Sequence, residues 1–371
     1  MGKVKKDKGD TPKKVVYLFG TGASQAEINL YDDTIKILMR DIKEGMLTKI
    51  DKKKITKLKD VKNELLNEHA DVEQLITLYE STGIHKHNII ARELKKLFWE
   101  EIEERINKLG IGYIPKLLSA LIDMHEIPGV GEVLTGVLTL NYEDLIEKAI
   151  CEVKGEVDYS IKMNENHSHL DVGSLSYPLL KLHGSFNWRN EFPITLTDDR
   201  RIKKSEDVLW IPPGVEKRRE RYPFSILWDR ARELLDCDIL RIVGCSLSRN
   251  DWHLVSLLYT TQKLNTVNKP YVIELINYSD TGKAIAERYP YLRFDNITEN
   301  IDVQEFLISS YSLKHDEGDK LSKAIEEFLS SSNKELNVFD IWLKAKGEAL
   351  KNRDISISTP KRIFENYIQA A

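Results

Sequence analysis

Short apolar runs, each about the length of one strand, are the feature that most constrains how this chain can fold. They cover residues 15–19, 133–140, 179–182, 239–243 and 271–276. Runs of this length are typical of strands buried on both faces of a parallel sheet. Helical patterns separate several of the runs, and strands that alternate with helices predict a doubly wound, Rossmann-like α/β sheet.

The spacing of the runs also divides the chain. More than 100 residues between the first two runs have a helical pattern, which is too long for a crossover. We therefore predict a sheet domain over residues 15–300 that carries an inserted all-helical lobe at 33–130. The alternative is a helical layer that only covers the sheet. One predicted helical face of the lobe comprises Val61, Leu65, Val72, Leu75, Ile76 and Tyr79.

Both ends of the chain differ from this central domain. Residues 1–14 are mostly Lys, Gly, Asp and Pro, which predicts a flexible tail. Residues 301–371 have an amphipathic helical pattern again. We expect them to form a helical C-terminal extension that docks on the core or forms a subunit interface.

Charge and cysteine content exclude several classes of protein. The 55 Lys and Arg against 59 Asp and Glu leave no basic excess, so direct nucleic-acid binding is not expected. The cysteines, Cys151, Cys237 and Cys245, are too few for a disulfide framework or a four-thiolate zinc site. No membrane-spanning run and no signal sequence appear, so we expect a cytoplasmic protein.

The first candidate motif, Gly20-Thr21-Gly22-Ala23-Ser24, directly follows the first apolar run. Glycines at this place allow a tight turn and a close approach of backbone N–H groups to phosphate. The N-terminus of a following helix adds a favourable dipole. The alternative is an ordinary turn between a strand and a helix.

The next two motifs place an amide and an imidazole at the ends of apolar runs. Asn141 follows Thr139-Leu140, and His183 lies in Leu182-His183-Gly184. Open α/β sheets bind ligands at the carboxyl ends of their strands, and a histidine there can act as a base near neutral pH. The alternatives are an asparagine that caps a helix and a histidine bonded to the backbone.

The last two motifs also end apolar runs. Gly244 and Ser246 follow the run at 239–243, and Asn277 follows the run at 271–276. A glycine and a hydroxyl suit a ribose or phosphate contact, and Asn277 suits a ribose hydroxyl. The alternatives are a helix N-cap formed by Ser246 or Ser248 and a turn asparagine.

In this order, the five motifs resemble those of the sirtuin family. The resemblance implies a sheet that binds NAD, with Asn141 and His183 as the catalytic pair and His183 as the base. It implies that the pyrophosphate contacts Gly20, Thr21, Gly22, Ala23 and Ser24. It further implies that the adenosine half contacts Gly244, Ser246 and Asn277.

The sequence also departs from the usual sirtuin pattern, and these departures indicate which sirtuin-like proteins it resembles. The four-cysteine zinc module is missing, so neither zinc nor any other metal site is expected. Three features are similar instead to sirtuin-like NAD-consuming effectors of bacterial anti-phage defence: the segment Ile211-Pro212-Pro213, the predicted helix with Trp228-Asp229-Arg230-Ala231, and the run that begins with Gly244-Cys245-Ser246-Leu247 and ends at Asp251. That resemblance implies an NAD glycohydrolase that uses NAD as substrate, forms a homo-oligomer and pairs with a HerA-type hexameric ATPase. A deacylase without zinc and a non-catalytic NAD- or ADP-ribose-binding assembly module are the alternatives.

Overall fold

The computed structural model describes residues 11–67, 69–110, 112–126, 131–161, 177–191, 194–196, 207–214, 219–268, 271–278, 280–297 and 303–307. Apart from 303–307, the predicted C-terminal extension at 301–371 lies outside these residues. So do residues 1–10 of the predicted tail. Lys13 and Lys14, which the prediction assigned to the tail, instead begin the first strand.

Six α-helices follow the first strand in the described chain, and strands and α-helices alternate from Phe224 onward. The strands are β1 Lys13–Phe19, β2 Glu132–Thr139, β3 Leu179–Lys181, β4 Gly184–Arg189, β5 Thr195–Leu196, β6 Val208–Trp210, β7 Ile239–Val243, β8 Val272–Ile276 and β9 Asn296–Ile297. The helices are α1 Thr21–Tyr31, α2 Met39–Lys52, α3 Lys59–Leu66, α4 Val72–Ser81, α5 His85–Asn107, α6 Leu117–Asp123, α7 Leu145–Lys154, α8 Phe224–Leu234, α9 Trp252–Asn268 and α10 Thr281–Arg288. None of these helices has both the length and the apolar character that crossing a membrane requires.

Six strands form one parallel sheet in the order β3-β2-β1-β7-β8-β9. The predicted doubly wound, Rossmann-like α/β fold is therefore confirmed. The chain builds outward from β1 to β3 on one side and then from β7 to β9 on the other. A smaller antiparallel sheet, ordered β5-β4-β6, follows β3.

The inserted helices differ in detail from the predicted pattern. The single apolar face predicted over residues 61–79 belongs to two helices, α3 and α4. The helical structure is interrupted between them, because the Asp71 carboxylate accepts the N–H groups of Glu73 and Gln74. This N-cap begins a new helix. Helix α6 contacts α1 and α7, so it packs with the helices beside the sheet.

A buried carboxylate fixes the start of α6. Glu27 on α1 is fully buried and accepts the backbone N–H groups of Lys116, Leu117 and Leu118 at 2.7–2.9 Å. These N–H groups have no partner within their own helix, and a negative charge suits the positive end of the helix dipole. Tyr113 also donates its hydroxyl to Glu27, at 2.7 Å.

A polar ladder crosses the centre of the main sheet. Tyr17, Arg241, Glu274 and Asn296 are register partners on β1, β7, β8 and β9. The fully buried Arg241 donates to Glu132 at 2.7 and 2.8 Å and to Glu274 at 2.6 Å. Burial raises the pKa of Tyr17 to about 12. The negative charges of Glu132 and Glu274 offset the buried positive charge of Arg241.

Replacing Arg241 by Met should strongly destabilise the protein. The change leaves two buried carboxylates without their cation, which typically costs about 3–5 kcal/mol. Urea unfolding of Arg241→Met and the wild type measures the difference. Arg230→Met is the matched control, because Arg230 is exposed on α8, where it pairs with the exposed Glu233. Equal losses in the two variants would contradict a stabilising role for the ladder.

Candidate functional site

The carboxyl ends of β1 and β7 form the point at which the order of the sheet reverses. Open α/β sheets bind ligands in the crevice at such a point. The first glycine motif follows β1, and Gly244 follows β7. The sheet therefore brings these two predicted motifs together at one edge.

The two glycine turns contact each other through their backbones. Gly20 donates its N–H to Val243 O at 3.0 Å, and Gly22 donates to Gly244 O at 2.8 Å. A Cβ on Gly20 would lie 2.5 Å from Cys245 Cα, and one on Gly22 would lie 2.7 Å from Gly244 O. The N–H groups of Gly20 and Gly22, which are predicted to approach phosphate, are therefore bonded to the backbone at the end of β7.

The start of α1 still has the properties of an anion site. Gly20 is its N-cap residue, and its first turn contains no acidic side chain to neutralise the helix dipole. Thr21 is exposed there, whereas Gly22, Ala23 and Ser24 are buried. Of the five predicted pyrophosphate residues, Thr21 is thus the one whose side chain faces solvent.

Asn141 lies in a hydrogen-bonded cluster directly beside this helix start. Its Nδ2 donates to Ser24 Oγ at 3.0 Å, and Thr21 Oγ1 lies 3.5 Å from its Oδ1. Ser24 in turn donates its hydroxyl to Glu143 at 2.5 Å. The other oxygen of Glu143 accepts the N–H of Leu145, so Glu143 rather than Asn141 supports the start of α7.

His183 lies at the end of the strand next to that of Asn141. Thr139 on β2 is the register partner of Lys181 on β3, so Asn141 and His183 both lie two residues beyond one paired position. The ladder continues past β3, because Leu182 donates its N–H to Thr139 O at 3.0 Å. The predicted catalytic pair is therefore held at neighbouring strand ends.

The imidazole of His183 is nearly enclosed, with 3% of the residue exposed. Its ring stacks on Tyr142 with 6.2 Å between ring centroids. Its Nε2 lies 3.8 Å from Oδ1 of Asp251. The backbone O of His183 accepts the N–H of Ile211 at 2.8 Å, which ties the strand end to the segment after β6. The imidazole of His183 is thus surrounded in part by the side chains of Tyr142 and Asp251.

A buried ion pair underlies the two strand ends. The Nζ of Lys181 lies 2.5 Å from Glu147 and also donates to the backbone O of Glu143. Burial raises the pKa of Glu147 to about 7, although the charge of Lys181 lowers it. Glu147 is not among the residues that the sequence motifs predict. The signal was available, because Glu147 lies among Leu145, Ile146 and Ile150 on α7.

The remaining predicted residues take different positions. The carboxamide of Asn277 donates to Cys245 O at 2.8 Å and accepts the N–H of Tyr278, so it holds the turn after β7. Ser246 is exposed at this edge. Ser248 accepts the N–H of Asn250, which makes it, and not Ser246, the predicted N-cap.

The three cysteines are free thiols, exposed at Cys151 and buried at Cys237 and Cys245. Within the described ranges, no group of three or more His, Cys, Asp or Glu side chains has the arrangement of a metal site.

A cavity of about 250 Å³ lies between the helical lobe and the segment after β6. Lys95 and Glu80 line it from the lobe, and Trp210, Ile211 and Arg221 line it from the other side. Ile211 connects the cavity to the predicted catalytic pair, because its backbone O also accepts the Tyr142 hydroxyl at 2.9 Å.

A match to a family model supports the similarity to sirtuins that the motifs suggest. Residues 135–299 match the family model of the SIR2-like domain. The match covers less than half of the 371 residues, and it includes Asn141, His183, Gly244, Ser246 and Asn277. No curated protein matches this chain.

Solved structures of Sir2 proteins are similar to this chain at low identity. One is a substituted Sir2 homologue in complex with ADP-ribose, with 17% identity and a TM-score of 0.43, covering 86% of this chain and 94% of its own. Another is Sir2Tm bound to a propionylated peptide, with 15% identity and a TM-score of 0.41, covering 83% of this chain and 94% of its own.

Replacing Gly244 by Ala should destabilise the protein more than the same change at Gly155. Both glycines have a left-handed backbone, with φ of 61° and 80°. Such a backbone costs an alanine roughly 1–2 kcal/mol. A Cβ on Gly244 would in addition lie 2.2 Å from Ala23 N, whereas Gly155 has nothing within 4 Å. Denaturant unfolding of both variants measures the contact between the turns, and equal losses would contradict its importance.

Proposed function

We propose that this chain is an NAD glycohydrolase that cleaves NAD to nicotinamide and ADP-ribose. One observation carries the proposal. Asn141 and His183 lie at the ends of neighbouring strands, inside the part of the chain that matches the SIR2-like domain model. An amide and an imidazole at neighbouring strand ends, on the ligand-binding edge of an α/β sheet, suit the cleavage of a glycosidic bond.

The residues at this edge fit NAD in charge and polarity. The start of α1, with Thr21, would receive the pyrophosphate, because the dipole there favours an anion. The exposed Ser246 would face the adenosine half. Gly20, Gly22, Gly244 and Asn277 would act through the shape of the turns that they hold together.

The side chains of the site would take different roles in the cleavage of NAD. NAD, when bound, supplies the ribose–nicotinamide bond, whose cleavage develops positive charge on the sugar. His183 would accept a proton from the attacking water or from a ribose hydroxyl. Asn141, held by Ser24, would orient that water or the ribose hydroxyls. The neighbouring carboxylates of Glu143 and Asp251 suit the developing positive charge.

An NAD-dependent deacylase is the second candidate, and the cavity beside Ile211 favours it. A volume of about 250 Å³ can receive a side chain, and the cavity wall is hydrogen-bonded to His183 and Tyr142. A non-catalytic module that binds NAD or ADP-ribose is the third candidate. The position of His183 at the end of a strand favours an enzyme over this module, because binding of NAD alone does not require a general base.

We further propose that the activity serves bacterial anti-phage defence in the cytoplasm. Loss of NAD stops the growth of a cell, so such an enzyme requires control. Homo-oligomerisation and a HerA-type hexameric ATPase are the proposed means of that control. Similarity of the segments at 211–213 and 244–247 to defence effectors supports this role.

Replacing either member of the catalytic pair should abolish most NAD cleavage. His183→Ala removes the base, and Asn141→Ala removes the orienting amide; general-base assistance alone is worth roughly 10²–10⁴-fold. Release of nicotinamide and ADP-ribose from NAD measures the rate, and titration calorimetry measures NAD binding. His85→Ala is the matched control, because His85 is exposed at the start of α5.

The assay runs with four additions to NAD: buffer, an acylated lysine peptide, the HerA-type ATPase, and both. Cleavage without peptide supports the glycohydrolase. Cleavage that requires peptide and yields acylated ADP-ribose supports the deacylase. Binding of NAD without turnover in all four mixtures, or wild-type cleavage by His183→Ala, would refute the proposed function.

A further inference from the structure

A short turn after β7 joins the helical lobe to the site. Residues 249–251 form one helical turn, in which Asp251 donates its N–H to Ser248 O at 3.0 Å. Asn250 is 4% exposed, and its Nδ2 donates to Asp71 at 2.7 Å and to Glu73 at 2.8 Å. Both acceptors lie at the start of α4 in the lobe. The lobe therefore fixes the backbone directly beside Asp251.

The carboxylate of Asp251 points towards the interior of the site. Its side chain is 13% exposed and lies 3.8 Å from Nε2 of His183. Burial raises the pKa of the Tyr142 phenol, and the charges of Glu73 and Asp251 add to that shift. Burial also raises the pKa of Cys245 to about 12, again with a contribution from Asp251. The charge of Asp251 thus acts on Tyr142, whose ring stacks on His183, and on Cys245.

We propose that Asp251 is a positioning residue for His183, and that the helical lobe fixes Asp251 through Asn250. The carboxylate orients the imidazole and stabilises its protonated form. The effect on catalysis rests on the proposed function, but the contact between the two side chains does not.

The geometry defines what Asp251 contributes. A separation of 3.8 Å is longer than a hydrogen bond, so the pair interacts here chiefly through charge. A ring proton on Nε2 is favoured by the facing carboxylate, which leaves Nδ1 as the acceptor of a neutral imidazole. When the base takes up a proton, the resulting imidazolium lies beside an anion already in place.

The charged groups around His183 come from several elements. Asp251 faces it from the turn after β7, and Glu73 lies on α4 beside Tyr142. Lys181 and Glu147, from β3 and α7, bind each other. Among the described residues, Asp251 forms an ion pair with the ring at 3.8 Å, so its removal should change the titration of His183.

NMR titration of the histidine ring carbons tests the contact without any substrate. The His183 signal is assigned by its loss in His183→Ala. In Asp251→Asn, we expect the titration midpoint of His183 to fall by about one pH unit, because the imidazolium loses a nearby anion. Asp251→Glu should restore most of the shift. The control Asp229→Asn, at an exposed aspartate on α8, should leave the midpoint unchanged.

A midpoint of His183 that is the same in the wild type and in Asp251→Asn would overturn the proposal. Asn250→Ala tests the part that concerns the lobe, because it keeps Asp251 but removes its anchor. We expect the midpoint of His183 to move in the same direction as in Asp251→Asn, by less. An unchanged midpoint there would refute the role of the lobe. The dispersion of the amide spectrum confirms that each variant is folded.

Kinetics connect the contact to the reaction. Asp251→Asn should lower kcat for NAD cleavage by roughly 10- to 100-fold with little change in KM, because a misoriented base affects the chemical step more than binding. A merely structural loss would change both constants. If the wild type cleaves no NAD, the proposed function fails, whereas the NMR titration still decides whether Asp251 positions His183.

Discussion

A backbone contact at the centre of the sheet edge determines the rest of the site. The turn after β1 and the turn after β7 approach so closely that glycine alone fits at Gly20, Gly22 and Gly244. The turn after β1 donates two backbone hydrogen bonds to Val243 and Gly244, and Asn277 and Tyr278 hold the arrangement from the end of β8. Because of this contact, α1 begins directly beside Asn141. A ligand at this edge meets a rigid surface formed by three different segments of the chain.

Three acidic side chains lie around the site, and each has a polar or charged partner. Glu143 is bonded to Ser24, Glu147 to Lys181, and Asp251 faces His183. These groups come from β2–α7 and from the turn after β7, and the second of these is anchored to the helical lobe. The start of α4 therefore contacts the turn that carries Asp251. This connection is absent from the apolar pattern of the sequence, because it is made by polar side chains.

Much of the fold could be predicted from local patterns. The strand at 239–243 has the predicted limits. The apolar run begins after Asp238 and ends before Gly244, and the strand has the same ends. The neighbouring positions of Asn141 and His183 follow from two parallel strands that end together. The division between α3 and α4 could not be predicted from apolar spacing, because a polar cap at Asp71 decides it.

Long-range polar contacts were also beyond the reach of the sequence. The Glu27 carboxylate stabilises a helix 90 residues away, and no local pattern indicates such a partner. The local sequence predicts that Gly20 and Gly22 leave space for phosphate, because the opposing turn is more than 200 residues distant in the chain. A glycine signals only that something approaches closely, and the fold determines what that is.

The buried ladder around Arg241 has a consequence for how the sheet assembles. Its carboxylates come from β2 and β8, on opposite sides of the strand pair that carries Tyr17 and Arg241. A partly built sheet would hold an arginine in an apolar layer with only one of its counter-ions, or with none. Such intermediates are costly, so the two halves of the sheet should gain stability together. The arginine thus links strands that are distant in sequence into one cooperative unit.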